Sequence, residues 1–97
     1  MGTPRAHILQ ALEEFDSGDL KRFQRQLSLK VVDGVKRIPK SRLENKTREE
    51  TVDLMVGAYT EEGAVAVAVE TLQLINQHDE AKLLLDIYPT AVKKDGN

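Results

Sequence analysis

The sequence contains no cysteine and no tryptophan, and aromatic residues make up 4% of its 97 residues. Aliphatic side chains must therefore fill the core of one small domain, without disulfide bonds or thiolate chemistry. The longest apolar run, residues 64–69, is too short to cross a bilayer. The chain also lacks an opening basic segment followed by an apolar run, so we see no secretory signal and expect a cytoplasmic location.

Residues suited to catalysis are scarce. Only His7 and His78 could serve as acid/base groups near neutral pH or as favoured metal ligands, and they fall in different predicted helices without carboxylates at ligand spacing. The six glycines are scattered, so no Gly-rich phosphate loop is present. The sequence therefore predicts no enzyme activity, no cofactor and no metal site.

Charge is distributed in blocks, although the net charge is only −2. Residues 21–48 carry ten Lys and Arg against two acids, whereas residues 49–81 carry eight acids and neither Lys nor Arg. Asymmetry of this size indicates an interaction surface. The alternative, that the blocks mix on the folded surface, stays open at this point.

The first half of the chain predicts two amphipathic helices. Thr3 and Pro4 are typical of a helix start, and apolar residues at helical spacing predict a helix over residues 4–15. Residues 16–18 break this helix, and Asp16 or Ser17 can cap the next one. The apolar stripe of that second helix consists of Leu20, Phe23 and Leu27.

The middle of the chain predicts a loop followed by a short helix. Residues 28–38 lack a helical period and contain a turn signal at residues 33–34, which favours an ordered loop but leaves a hairpin open. Pro39 allows a short helix over residues 41–44. A capping box then runs from Thr47 to Glu50 and starts a fourth helix.

Residues 63–75 alternate as a strand would, but their apolar positions also fit helical spacing. The length of the pattern favours a central, buried helix. A last helix, capped by Asp79, ends at Pro89. Six helices, one of them short, predict an all-α antiparallel bundle.

Three kinds of partner are compatible with this charge pattern. The ten basic residues could contact nucleic-acid phosphates, but Phe23, the aromatic residue available there for base stacking, belongs to the apolar stripe. A monomeric domain that docks on a different protein is a second alternative. We favour self-complementarity, because opposite charges on two faces allow a head-to-tail contact that generates rings or open filaments.

The chain resembles the pyrin domain, a six-helix branch of the death-fold superfamily with a short third helix after a long loop. The resemblance extends over residues 3–88, and residues 89–97 form a polar tail or the start of a linker. Pyrin domains are N-terminal modules of inflammasome sensors, adaptors and some caspases, so we expect a module cut from a larger protein. The matching segments are ILQALEEF (8–15), DLKRFQRQL (19–27), RIPKSRLE (37–44) and LMVGAYTEEGAVAVAVETLQLIN (54–76).

The resemblance implies binding to other pyrin domains, both copies of this chain and an inflammasome adaptor or sensor. An acidic face on the first and fourth helices would meet a basic face on the second and third. Family members often carry lysine where this chain has Gln24, so the basic face would depend more on Arg25 and Lys40. The implied acidic residues are Glu13, Glu14, Glu50 and Asp53, and the implied basic residues are Lys21, Arg22, Arg25, Lys40 and Arg42.

Overall fold

The computed structural model describes residues 2–29 and 38–89, and every regular element in these ranges is a helix. The predicted all-α fold is therefore confirmed. The loop or hairpin predicted around residues 33–34 and the polar tail from residue 90 lie outside the described residues. The helices are α1 (Pro4–Leu12), α2 (Ser17–Leu29), α3 (Lys40–Leu43), α4 (Arg48–Leu74) and α5 (His78–Ile87).

The long helix α4 is interrupted at Thr60, whose backbone angles (φ 67°, ψ 172°) are not helical. A positive φ is unfavourable for a β-branched residue, and conformations of this kind cost about 1–3 kcal/mol. The Thr60 hydroxyl accepts a hydrogen bond from the Gly63 N–H at 3.3 Å, which caps the segment that follows. Counting the two segments of α4 separately gives six helical segments in the described ranges, in agreement with the predicted six-helix bundle.

Side-chain caps fix most helix starts where the sequence places them. Thr3 accepts from the Ala6 N–H at 3.1 Å, and Asp16 accepts from the Asp19 N–H at 2.8 Å. Thr47 and Glu50 make both bonds of the predicted capping box, at 3.0 and 2.9 Å.

The start of α5 differs from the prediction. Gln77 occupies the N-cap position without a side-chain hydrogen bond, and Asp79 lies one residue inside the helix. The carboxylate of Asp79 therefore acts through its favourable position in the first turn, near the positive end of the helix dipole, rather than as a cap.

The second segment of α4 is the centre of the hydrophobic core, as the sequence predicts for residues 63–75. Ala64, Val65, Ala68, Val69 and Leu72 are all buried. They belong to one cluster with buried residues from the other helices. This cluster includes Ile8, Leu12, Phe15, Phe23, Leu27, Ile38, Leu43, Met55 and Leu84.

Two aromatic rings help to close the α1–α2 corner. Phe15 and Phe23 pack with their ring centroids 5.8 Å apart. Leu20, predicted as part of the apolar stripe, is only half-buried and packs against the cluster.

No helix in the described ranges combines the length and apolarity that a membrane crossing requires.

Helix α1 ends at Leu12, three residues earlier than the predicted end. The N–H groups of Glu14 and Phe15 bond to the carbonyls of Ala11 and Leu12 at 3.3 and 3.0 Å, which tightens the final turn. The guanidinium of Arg48 then donates to the carbonyls of Leu12, at 2.9 Å, and Phe15. Arg48 thus gives the Leu12 carbonyl a second donor, bonds the Phe15 carbonyl beyond the helix, and ties the end of α1 to the start of α4.

We expect Arg48→Ala to lower the free energy of unfolding by about 1.5–3 kcal/mol, because hydrogen bonds from a charged donor to backbone carbonyls are lost. Arg22→Ala is the matched control. Arg22 is exposed and pairs with Asp19 on its own helix, so its replacement should cost less than about 1 kcal/mol. Urea unfolding, monitored by circular dichroism, measures the free energy of unfolding of both variants. Equal losses of stability in the two variants would contradict the role of Arg48.

Candidate functional site

Three of the predicted basic residues lie together. Lys21 and Arg25, one turn apart on α2, line an open depression with Lys40 at the start of α3. All three side chains are exposed, and Glu44 is the one acidic residue in the lining. This depression, called the basic depression below, is suited to acidic groups on a partner protein.

The other two predicted basic residues lie differently. Arg22 Nη2 pairs with Asp19 Oδ1 at 2.6 Å, within the first turns of α2. Arg42 lines a separate depression next to Glu50 and Asp53, together with Lys46. Arg42 is therefore at the boundary between the basic and acidic surfaces.

Gln24 has a structural explanation. Its side chain is buried, and Nε2 donates to the Lys46 carbonyl at 3.1 Å and to Thr51 Oγ1 at 2.9 Å. The Thr51 hydroxyl in turn donates to the Thr47 carbonyl at 2.8 Å. Gln24 thus joins α2 to the first turn of α4, and this position contributes an internal hydrogen-bond network rather than a surface charge.

On the acidic side, Glu13 is brought together with Glu49, a residue that the sequence reasoning missed. Both line a depression between α1 and α4, called the acidic depression below, with Leu9, Thr47 and Arg48. The sequence spacing could have indicated Glu49, because Glu49 and Asp53 are four residues apart and therefore lie on the same face of α4.

Glu14, in the turn that follows α1, is exposed and lies apart from Glu13. It lines a groove with His7 and with Glu80, Leu83 and Ile87 of α5. Of these, Leu83 is 58% and Ile87 46% exposed. Glu13 and Glu14 line different depressions, so the structure does not bring Glu14 together with Glu13.

The two remaining acidic candidates have partners within the chain. Glu50 Oε1 accepts from the Thr47 N–H in the capping box at 2.9 Å. Asp53 Oδ1 accepts from Arg5 Nε at 2.6 Å, and this ion pair raises the pKa of Arg5 above its ordinary value. Both carboxylates are exposed, but each already interacts with a donor of this chain.

The charge blocks therefore mix at some places on the surface and stay apart at others. Arg42 and Lys46 meet Glu50 and Asp53 in one depression. The basic depression and the acidic depression, however, have no lining residue in common and lie on different pairs of helices. One domain thus presents two charged surfaces of opposite sign.

The histidines have ordinary structural surroundings. His7 Nδ1 lies 2.7 Å from the hydroxyl of Tyr88, and the two rings pack edge-on with centroids 5.4 Å apart. His78 is exposed at the first position of α5. Within the described ranges, no group of three His, Asp or Glu side chains is arranged to hold a metal ion.

Comparison with known proteins identifies the family. The family model described as the PAAD/DAPIN/Pyrin domain matches residues 7–82. The chain belongs to the pyrin domain family. Pyrin domains are death-fold modules for homotypic interaction, found in inflammasome- and caspase-related proteins, so the predicted family, fold and general role as an interaction module are confirmed.

The pyrin domain is similar in sequence to two curated proteins. It is 45% identical to caspase b of Danio rerio over 77 residues, which are 79% of this chain but 19% of that caspase. It is 32% identical to human Pyrin domain-containing protein 1 over 85 residues, covering 87% of this chain and 96% of that protein. The chain thus spans about a fifth of the caspase and nearly all of the smaller relative.

A solved structure resembles the pyrin domain closely in its backbone. The solution structure of the pyrin domain of human Pyrin superposes with a TM-score of 0.82 at 31% sequence identity. The similarity covers 91% of this chain and 99% of the human domain.

We expect Gln24→Ala to destabilise the pyrin domain by about 1–2 kcal/mol, because the Lys46 carbonyl and the Thr51 hydroxyl lose a buried donor. Gln26→Ala removes the same side chain two residues away, where it is partly exposed, and should cost about 0.5 kcal/mol or less. Thermal or urea unfolding measures the difference. If both variants lose equal stability, Gln24 is not a specific link between α2 and α4.

Proposed function

We propose that this pyrin domain binds other pyrin domains, including further copies of itself, and relays inflammasome signalling in the cytoplasm by assembling into filaments. The observation that carries the proposal is the separation of the basic depression from the acidic depression. A head-to-tail contact uses one surface from each copy and leaves the opposite surfaces free. Because such a contact does not close on itself, it propagates into rings or open helical filaments.

In the proposed contact, Lys21, Arg25 and Lys40 of one copy face Glu13 and Glu49 of the next. Each exposed ion pair contributes only about 0.2–1 kcal/mol, so several must form together. The half-buried Leu9 lines the acidic depression and provides apolar surface between the charges. Charge steers the approach, and exclusion of water from this apolar surface stabilises the contact.

The remaining predicted site residues have secondary roles in the proposal. Arg22 and Arg42 border the basic surface, and Glu50 and Asp53 border the acidic one. Glu14 would contact a partner only if the partner also reached the α1–α5 side of the domain. We therefore place the main acidic contribution at Glu13 and Glu49.

The central prediction concerns charge reversal. Glu13→Lys and Lys21→Glu should each abolish filaments in electron micrographs and self-association in sedimentation experiments, because each places like charges opposite one another. Helical circular dichroism should remain unchanged, since both side chains are exposed. Normal assembly of both variants would refute the proposed contact.

The controls are Lys82→Glu and Asp86→Lys, which make the same charge changes on α5, where these two residues form an exposed pair at 3.9 Å. They should assemble as the wild type does. Mixing Glu13→Lys with Lys21→Glu should restore a 1:1 complex, because the first variant retains its basic surface and the second its acidic surface. No complex in the mixture would exclude a head-to-tail arrangement.

A further inference from the structure

Arg5 is a basic residue on the acidic side of the domain. It lies on the same face of α1 as Leu9 and Glu13, at intervals of four residues. Arg5 Nε contacts Asp53 Oδ1 at 2.6 Å, and the nearby Glu49 carboxylate also contributes to the raised pKa of Arg5. One arginine thus interacts with two of the acids that line or border the acidic surface.

Helix α1 itself does not favour an arginine at this position. Arg5 is in the first turn, directly after Pro4, where the positive end of the helix dipole disfavours a cation. No acidic residue is present in that turn to compensate. Its favourable interactions come instead from α4, through Asp53 and Glu49.

The Arg5–Asp53 pair is also accessible to a partner. The two side chains are 39% and 59% exposed, so water and incoming side chains can reach both. An exposed pair of this kind contributes little to the free energy of unfolding. The larger consequence of the pair is electrostatic. Arg5 gives Asp53 a cation from the same chain, where a partner would otherwise provide one.

We propose that Arg5 is a specificity-determining residue that competes with the partner's cations for Asp53 and Glu49. This inference rests on the proposed homotypic function. A partner cation must displace Arg5 before it can pair with Asp53. Recognition is therefore concentrated in the acidic depression, on Glu13 and Glu49. A partner whose basic residues reach that end of the acidic surface is accepted, and one that depends on Asp53 is disfavoured. Arg5 also raises the concentration at which the domain self-associates.

The test compares self-association of purified wild type and Arg5→Gln by sedimentation at moderate salt, with cooperative thermal unfolding checked for each. Removing the competing charge should lower the concentration for half-maximal association about two- to fivefold, the effect expected of one exposed ion pair. Arg5→Lys keeps the charge and should behave like the wild type. Arg5→Gln with Asp53→Asn replaces a neutral ion pair by two neutral groups and should return the threshold to the wild-type value.

Lys82→Gln is the matched control, because it makes the same change in net charge on α5 and should leave the threshold unchanged. The inference is overturned if Arg5→Gln raises the concentration for half-maximal association or leaves it unaltered, or if Lys82→Gln lowers that concentration equally. It is also overturned if the double variant associates at the same lowered concentration as Arg5→Gln. In each of these cases the wild type still associates, and the proposed function stands. If wild type and Arg5→Gln both unfold cooperatively but neither associates, the proposed function fails and this inference fails with it.

Discussion

Burial of the apolar segment at residues 63–75 is the constraint on which the rest of the structure depends. Most of this segment is the second half of α4, and its buried residues form the centre of one cluster with the other helices: Ala64, Val65, Val67, Ala68, Val69 and Leu72. The chain has no cysteine to add a covalent link, so its stability comes from this core and from the hydrogen bonds around it. In residues 2–29 and 38–89 no charged side chain is buried, so the charges of these ranges lie at the surface.

Much of that charge is then used to complete the fold. Arg48 donates to the Leu12 and Phe15 carbonyls at the end of α1, Glu50 completes the capping box of α4, and Asp53 pairs with Arg5. The uncharged Gln24 adds a buried hydrogen-bonded link between α2 and α4. The proposed contact joins Lys21, Arg25 and Lys40 in the basic depression with Glu13 and Glu49 in the acidic depression.

The residues that sequence reasoning predicted well depend on short-range rules. The capping box at Thr47, the Asp16 cap and the α2 stripe of Phe23 and Leu27 involve neighbours within one or two turns, so spacing alone defines them. The residues that it missed depend on contacts between helices. Glu49 shares a depression with Glu13 because α4 packs beside α1. The hydrogen bond that holds the end of α1 comes from Arg48, which follows Leu12 by 36 positions.

The sequence by itself therefore determined the family, the all-helical fold, the core stripes and the presence of opposite charges. Only the tertiary structure decided which of these charges already interact within the chain, because a carboxylate or guanidinium has the same formal charge whether it binds a backbone group, an intrachain ion or water. The packing of α1 against α4 places Glu13 with Glu49, turns Glu14 to another side and gives Asp53 an internal partner. Distances between helices, which local spacing does not specify, set these outcomes.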